Sequence, residues 1–256
     1  MIENVTLIGA GNVAQHLGQA LHASGIRIAQ IYSRNYHKAK DLAELVSAEA
    51  LSEWEQLKPC DLVVIAVSDQ AIPEVAALLS RFLPADTLVV HTSGATPSAI
   101  IASYFRRYGV LYPPQTFSIG RELDFSETPI CIHAGNEEDM LLLEALGKRI
   151  AKSVFRIDDM QRRWLHLSAV LVNNFPNHLY TLAEQVLQDH QLPFELLKPL
   201  ILETARKVQD HSPSLMQTGP AKRGDQATME AHLRLLEEYP GVMEIYSIIS
   251  RNIREE

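Results

Sequence analysis

The feature that most constrains the fold is the stretch from Leu7 to Leu17, LIGAGNVAQHL, in which small residues follow an apolar run at a fixed spacing. Gly9, Gly11 and Ala14 form the pattern GxGxxA. The apolar residues before the pattern predict a strand, and the residues after it, VAQHLGQALHAS, have the periodicity of a helix. The stretch therefore predicts a strand, a tight turn and a helix in immediate succession.

This strand–turn–helix context predicts a dinucleotide-binding site. Gly9 permits the tight turn, Gly11 lets a pyrophosphate approach the backbone, and Ala14 lets the helix pack closely on the strand. The N-terminus of the helix offers N–H groups and a positive dipole end to a phosphate. An ordinary glycine-rich turn is the alternative. The cofactor contacts predicted here are Gly9, Ala10, Gly11, Asn12 and Val13.

Apolar runs along the rest of the chain predict two domains. As far as Ile157 they alternate with helical patterns, and the early runs are continuous, which is typical of parallel strands covered on both faces. We predict an α/β fold with a doubly wound, mostly parallel sheet over residues 1–158, followed by an all-α domain over residues 159–256. The predicted strands are 5–9, 26–32, 62–67, 87–91, 110–112, 129–133 and 154–157. The predicted helices are 13–24, 39–45, 72–81, 137–152, 158–190, 193–211, 225–239 and 242–253.

The residues after the second predicted strand favour NADP over NAD. NAD sites place an acidic residue about 20 residues after the glycines, where it accepts from the ribose 2′-OH. This chain instead has Tyr32-Ser33-Arg34-Asn35. A hydroxyl and a guanidinium suit a 2′-phosphate, so Ser33, Arg34 and Asn35 are predicted cofactor contacts. A solvated surface arginine is the alternative for Arg34.

Two further strand ends are expected at the same edge of the sheet, where ligands of such folds bind. They supply the predicted cofactor contacts Val67, Ser68, Asp69, Thr92, Ser93 and Gly94. Ser68 and Asp69 can equally cap the helix that follows them. The loop at 111–117, with its paired prolines, either walls the site or serves as a rigid connector.

Composition excludes several classes of function. A hydrophobic content of 46% in 256 residues suffices for a sizeable core, and a net charge of -8 repels nucleic acid. Cys60 and Cys131 lie far apart without a Cys/His cluster, so we expect reduced thiols and no metal. No apolar stretch approaches ~18 residues, and residues 1–11 lead directly into a strand. We therefore expect a cytoplasmic protein that binds neither a membrane nor nucleic acid.

Polar residues interrupt the apolar run RRWLHLSAVLVNNFPNHLY in the first long helix of the predicted helical domain. They are His166, Asn173, Asn174 and His178. Pro176 is expected to kink the helix close to the two asparagines. Buried polar groups need partners, so these side chains either bond to neighbouring helices or face a substrate. His166 and Asn174 are the catalytic candidates.

The stretch TGPAKRGD, residues 218–225, is predicted to be a loop before a helix whose N-cap is Asp225. Lys222 and Arg223 are either a solvated pair or a clamp for a substrate carboxylate or a cofactor phosphate.

Together the motifs GAGNVA, YSRN, DLVVIAVSDQAI, VVHTSG, YPPQTFS and TGPAKRGDQATMEAHL resemble those of a family of NADP oxidoreductases. Its Rossmann domain is similar to those of deazaflavin-dependent NADP reductase and pyrroline-carboxylate reductase. Its helical domain is related in architecture to the C-terminal domain of 6-phosphogluconate dehydrogenase. The resemblance implies a nicotinamide-dependent reductase or dehydrogenase that is dimeric through its helices. In related dehydrogenases the corresponding first helix carries a catalytic lysine with an asparagine, but this run contains no lysine.

These inferences predict an NADP-dependent oxidoreductase that transfers hydride between NADPH and a small carbonyl or imine compound. His166 would be the general acid, and Asn174 would orient the substrate. The alternative is a non-catalytic NADP(H) sensor whose helices transmit occupancy to a partner protein.

Overall fold

The computed structural model describes residues 1–118, 120–121 and 123–255. Contacts divide the chain into two compact units, Met1–Asn173 and Asn174–Glu256. The sequence predicts a domain boundary near Asp158, where the strand patterns end. The division after Asn173 instead reflects which residues contact one another. The domain limits drawn from the patterns stay a prediction.

The first unit is built on one eight-stranded sheet with the strand order β3-β2-β1-β4-β5-β6-β7-β8. All neighbouring strands are parallel except β6 and β7. This confirms the predicted mostly parallel sheet. The strands are β1 (Asn4–Ile8), β2 (Arg27–Tyr32), β3 (Glu49–Leu51), β4 (Leu62–Ile65), β5 (Leu88–His91), β6 (Arg107–Tyr112), β7 (Ile130–Ala134) and β8 (Val154–Arg156).

Helices cover both faces of this sheet, as the continuous apolar strands predicted. Successive residues of β4 point to opposite faces, so that Val64 packs in one core and Val63 in the other. Leu17, Leu42 and Leu146, from three different helices, pack in the core that contains Val64. The helices of the first unit are α1 (Asn12–Ala23), α2 (Tyr36–Val46), α3 (Ile72–Leu79), α4 (Ala99–Ala102), α5 (Glu137–Ile150) and α6 (Asp159–Ala169).

Two short elements, β3 and α4, were not predicted from the sequence. Strand β3 has only three residues and exists because it pairs with β2. Helix α4 is a single turn of four residues. Neither is long enough to show a hydrophobic period, so tertiary contacts rather than a local sequence pattern determine both.

The second unit is helical, and no strand occurs among its described residues. Its helices are α7 (Phe175–Asp189), α8 (Lys198–Asp210), α9 (Pro213–Met216), α10 (Pro220–Arg223), α11 (Gln226–Leu235) and α12 (Pro240–Glu255). A π-helical segment, Val170–Asn174, precedes α7. The sequence predicted a kink at Pro176. This wider turn lies where the proline ring would otherwise meet the carbonyl of Val172.

The second unit buries few of its apolar side chains. Among its described residues, Ala221 and Met229 are the buried apolar ones. Large apolar side chains are exposed on α7, α8 and α12, including Leu200 (63% exposed), Leu202 and Ile249. None of the helices in the described ranges combines the length and apolarity needed to cross a membrane.

Candidate functional site

The turn between β1 and α1 has the geometry that the glycine spacing predicts. Gly9 has a φ of 121°, and a Cβ built there would lie 2.2 Å from the carbonyl oxygen of Ala66. Its N–H donates to the carbonyl of Tyr32 at 2.7 Å. Gly11 is the N-cap of α1, and a Cβ built there would point into open space. Within the described part of the chain no side chain caps α1, so its first N–H groups face a ligand-sized opening directly.

A cavity of about 610 Å³ lies at the carboxyl ends of β1, β2 and β4. Most of the predicted cofactor contacts line it, and Asp69, Ser93 and Gly94 do not. The convergence of the lining residues supports one elongated site along the edge of the sheet. The predicted contacts that line the cavity are Gly9, Ala10, Gly11, Asn12, Val13, Ser33, Arg34, Asn35, Val67, Ser68 and Thr92.

Two cationic side chains lie at one end of this cavity. Arg34 follows β2, and Lys38, which sequence reasoning missed, lies in the first turn of α2. Asn35 caps α2 by accepting from the N–H of Lys38 at 3.3 Å, and the Ser33 hydroxyl accepts from the N–H of Asn35 at 3.3 Å. The cap orients the first turn of α2 so that Lys38 and Arg34 border the same space. Glu74, on α3, also lines the cavity.

An aromatic pair also borders the cavity. The rings of Tyr32 and Trp54 lie 3.9 Å apart, centroid to centroid. Trp54 belongs to a segment that the buried side chain of Gln30 holds in place. Gln30 donates to the carbonyl of Gln56 at 3.0 Å and accepts from the N–H of Lys58 at 2.8 Å. Trp54 was not predicted, because its position depends on this tertiary contact.

The loop after β5 is shaped by its own polar side chains. His91 is buried, and its Nδ1 accepts from the N–H of Ser93 at 3.1 Å. Burial, together with the nearby Arg162, lowers the pKa of His91 to about 4, so this ring is neutral. The hydroxyl of Ser93 accepts from the N–H groups of Ala95 and Thr96 and donates to the Thr96 hydroxyl. Ser93, a predicted cofactor contact, therefore has its hydroxyl committed to this loop.

A buried arginine ties α6 to that loop. Arg162 is 0% exposed, donates to Asp159 Oδ1 at 2.8 Å and also donates to the carbonyl of Thr96. The other carboxylate oxygen of Asp159 accepts from the N–H and the hydroxyl of Ser98 at 2.9 and 3.0 Å. Burial opposes ionisation of Asp159, but the hydrogen bonds from Arg162 and Ser98 outweigh it and lower the pKa of the carboxyl group.

His166 lies one helical turn after Arg162 and reaches the end of β5. A Cβ built at Gly94 would lie 2.6 Å from His166 Nδ1 and 2.9 Å from the ring of Tyr112. The Tyr112 hydroxyl is 3.2 Å from the same Nδ1. The structure thus brings Gly94, Tyr112 and His166 together. Gly94 lies two residues after Thr92, which lines the cavity. The sequence placed Tyr112 only within the loop at 111–117 and did not predict Arg162; the spacing of Arg162 and His166, i and i+4 on one helix face, could have linked those two.

The loop at 111–117 folds over the first turn of α1. Asn12 donates from its side-chain amide to the carbonyl of Phe117 at 2.8 Å. His16 Nε2 lies 3.1 Å from the carbonyl oxygen of Ser118. Phe117 is buried and stacks on Phe125. This loop therefore packs against the helix that carries the glycine turn.

The predicted site residues of the second unit are exposed. Asn174 ends the π-helical segment and makes no side-chain hydrogen bond within the part of the chain that the structure describes. Asn173 and His178 are exposed as well, so the expected burial of these polar groups is wrong. The apolar run that contains them faces outward in the single chain, which explains the difference.

Residues 218–225 are not wholly a loop, which corrects the sequence prediction. Lys222 and Arg223 lie in the one-turn helix α10 and are exposed. Pro220 occupies its first turn, where a missing N–H costs no hydrogen bond. Asp225 caps α11 as predicted, accepting from the N–H of Thr228 at 3.1 Å. Within the described ranges, no group of three or more His, Cys, Asp or Glu residues gathers as metal ligands.

Comparison with known proteins identifies the family. Residues 4–94 match the family described as NADP oxidoreductase, coenzyme F420-dependent, and residues 128–253 match a domain of unknown function, DUF2520. The crystal structure of a provisionally assigned NADP oxidoreductase from Bacteroides fragilis is 40% identical to this chain, with a TM-score of 0.93. The match covers 100% of this chain and 99% of that chain. The chain belongs to this family of NADP oxidoreductases. It is an oxidoreductase, as the sequence motifs predicted.

Two further comparisons find a reductase with a partly similar sequence and a reductase with a similar fold. A pyrroline-5-carboxylate reductase of Pseudomonas aeruginosa is 30% identical over 103 residues, which span 39% of this chain and only 38% of that protein. An imine reductase from Myxococcus stipitatus, solved with NADP+, is 17% identical with a TM-score of 0.68. That match covers 98% of this chain and 94% of the other, and at this identity it shows the fold alone.

The ion pair between Arg162 and Asp159, next to the loop after β5, leads to a prediction about stability. Asp159→Asn leaves the buried Arg162 without a counter-charge, so we expect it to lower the free energy of unfolding by about 3 kcal/mol. Asp158→Asn is the matched control, because Asp158 is the N-cap of α6 and asparagine caps equally well, within a few tenths of a kcal/mol. Urea unfolding measures both. Equal stabilities of the two variants would contradict the structural role of the pair.

Proposed function

We propose that the protein uses NADPH to transfer hydride to a small carbonyl or imine compound, with His166 as the proton donor. The observation that carries this proposal is the contact of His166 with Gly94, next to the strand end at which Thr92 borders the dinucleotide cavity. In folds of this type the reactive end of the cofactor lies beyond the carboxyl ends of the central strands.

The residues present fit NADP(H). The open space at Gly11 and the N-terminus of α1 suit the pyrophosphate, and Ser33, Arg34 and Lys38 suit a 2′-phosphate. Arg34, which follows β2, and Lys38, on α2, are both exposed and border the cavity, so both can reach such a group. When bound, the cofactor supplies or accepts the hydride. The side chains around the cofactor must orient the substrate and supply the proton.

His166 is suited to supply the proton. A carbonyl oxygen or an imine nitrogen gains negative charge as hydride arrives at the neighbouring carbon, and an N–H group placed there stabilises that charge. The proton then passes from Nε2 of the protonated His166 ring to that oxygen or nitrogen, and the ring is left neutral. The partly exposed carboxylate of Asp159 neutralises the buried guanidinium of Arg162, and His91 is neutral, so neither Arg162 nor His91 competes with His166 in stabilising the developing charge.

Three residues of the second unit retain their proposed roles on the basis of their donor chemistry. Asn174 would orient the substrate through its amide, and Lys222 and Arg223 would clamp a substrate carboxylate or a cofactor phosphate. All three side chains are exposed, so each can meet a ligand.

The cofactor proposal predicts a loss of NADPH preference in Arg34→Ala. A charge-assisted hydrogen bond contributes roughly 1.5 to 3 kcal/mol, so NADPH binding should weaken about 10- to 100-fold while NADH binding stays the same. Lys38→Ala should act in the same direction. Lys40→Ala is the control, because Lys40 lies on the same helix and pairs with Glu44. Calorimetry that finds equal affinities of the wild type for the two cofactors would refute the assignment.

The catalytic proposal predicts that His166→Ala lowers turnover by about 100-fold or more, the usual contribution of general acid catalysis, while NADPH affinity is nearly unchanged. Oxidation of NADPH with a panel of keto acids, aldehydes and imines supplies the assay. His22→Ala, which removes an exposed histidine at the end of α1, should behave as wild type. A His166→Ala protein that melts early but turns over normally per folded molecule would make His166 structural.

The exposed apolar surface of the second unit supports a homodimer formed through its helices. A groove of about 750 Å³ in this unit is lined mainly by apolar side chains of α7, α11 and α12. Ile249, 40% exposed, borders it. A surface of this kind on a single chain marks an interface, and a two-fold pair buries the same patch on both copies.

We predict that light scattering at micromolar concentration gives the mass of a dimer, and that Ile249→Glu gives a monomer, because the interface would bury an unpaired charge. Leu141→Glu is the control: Leu141 is similarly exposed (55%) but lies on α5 of the first unit. A monomeric wild type, or equal effects of both substitutions, would exclude this interface.

A further inference from the structure

Tyr112 lies at the end of β6, and none of the roles above uses it. Its hydroxyl is 3.2 Å from Nδ1 of His166, and the two rings meet nearly edge to face, 6.1 Å apart at 73°. Tyr112 is 7% exposed, so water cannot readily replace this contact. The contact therefore constrains which atom of His166 carries a proton.

The hydroxyl of Tyr112 has one hydrogen-bond partner within the described ranges, the Nδ1 of His166. A buried hydroxyl needs an acceptor for its proton. Cys131 stands opposite Tyr112 in the register of β6 and β7, but a thiol is a weak acceptor compared with an imidazole nitrogen. Burial also raises the pKa of Tyr112 to about 12, which keeps the proton on its oxygen at neutral pH.

A neutral imidazole has one protonated nitrogen and one with a lone pair, and a donor at one nitrogen requires the proton on the other. We propose that Tyr112 donates to Nδ1 and thereby holds neutral His166 with its proton on Nε2. His166 then presents an N–H, rather than a lone pair, on the side away from Tyr112. The tautomer follows from the contact alone, whereas its catalytic use rests on the function proposed above.

Gly94 and Arg162 make this contact possible. The two rings meet in the space that any side chain at Gly94 would fill, because a Cβ there would lie within 3 Å of both. Arg162 fixes the preceding turn of α6 against the carbonyl of Thr96, so the helix cannot slide away from β6. Tyr112 is therefore a positioning residue, acting on the substrate only through His166.

The advantage of this arrangement is a donor that persists over a range of pH. When His166 is protonated, both of its nitrogens carry a proton and the Tyr112 oxygen can accept from Nδ1. When His166 is neutral, Tyr112 donates instead and Nε2 keeps its proton. A carbonyl or imine substrate therefore meets an N–H hydrogen-bond donor in both states, and the protonated ring is the state that can transfer its proton.

Nitrogen NMR of the histidine rings tests the proposal without turnover. The experiment uses the uniformly 15N-labelled full chain at about pH 9, where imidazoles are neutral, and His166→Asn identifies the His166 signals by their loss. We expect Nε2 of His166 to have the shift of a fully protonated ring nitrogen. In Tyr112→Phe, which keeps the ring and its packing, this shift should move toward that of an unprotonated nitrogen. Tyr108→Phe, on the same strand, should leave it unchanged.

An unprotonated Nε2 in the wild type, or the same Nε2 shift in Tyr112→Phe, would overturn the proposal. Turnover gives a separate reading: Tyr112→Phe should lower kcat by about 10-fold, as loss of an orienting partner does, with the KM for NADPH unchanged. If the NMR result holds but His166→Ala turns over normally, the tautomer is correct and the proposed function is wrong. The two failures are thus distinguishable.

Discussion

The ion pair between Arg162 and Asp159 is the interaction on which the geometry of the site depends. Burying the guanidinium of Arg162 costs solvation free energy, and an ion pair of this kind contributes little net stability compared with apolar residues of the same size. Its effect is geometric: the guanidinium and the carboxylate together hold Thr96 and Ser98, so the loop after β5 and the start of α6 move as one piece. One turn further along α6, His166 is thereby placed against Gly94.

The two ends of the dinucleotide cavity are built on different principles. At the glycine turn, the backbone itself is the binding element, because Gly9 lets the chain pass close to the carbonyl of Ala66 and the space beside Gly11 is open. At the carboxyl end of β2, side chains are the binding elements, and the cap of α2 positions Arg34 and Lys38. This division explains why a substitution at Arg34 would alter which dinucleotide binds, whereas one at Gly9 would disturb the fold of the sheet.

Local signals in the sequence predicted the parts of the site that depend on neighbours in the chain. The glycine turn and Arg34 were predicted because a strand, a turn and a helix follow one another without a long-range contact. Neither Trp54 nor the contact of Tyr112 with His166 could be predicted, since Gln30 positions Trp54 and the pairing of β6 with its neighbours positions Tyr112. Asn174 shows the opposite error: an apolar run suggested burial, but in a single chain that run lies on the surface.

In the function proposed above, the reactive end of NADP(H) lies beside His166 at the end of β5. A crystal structure of the protein with NADP+ tests this most directly. We expect the 2′-phosphate between Arg34 and Lys38, and the nicotinamide ring beyond Thr92 with its reactive carbon facing the space next to His166 Nε2. A nicotinamide ring that points away from His166, with the glycine turn occupied as expected, would contradict it.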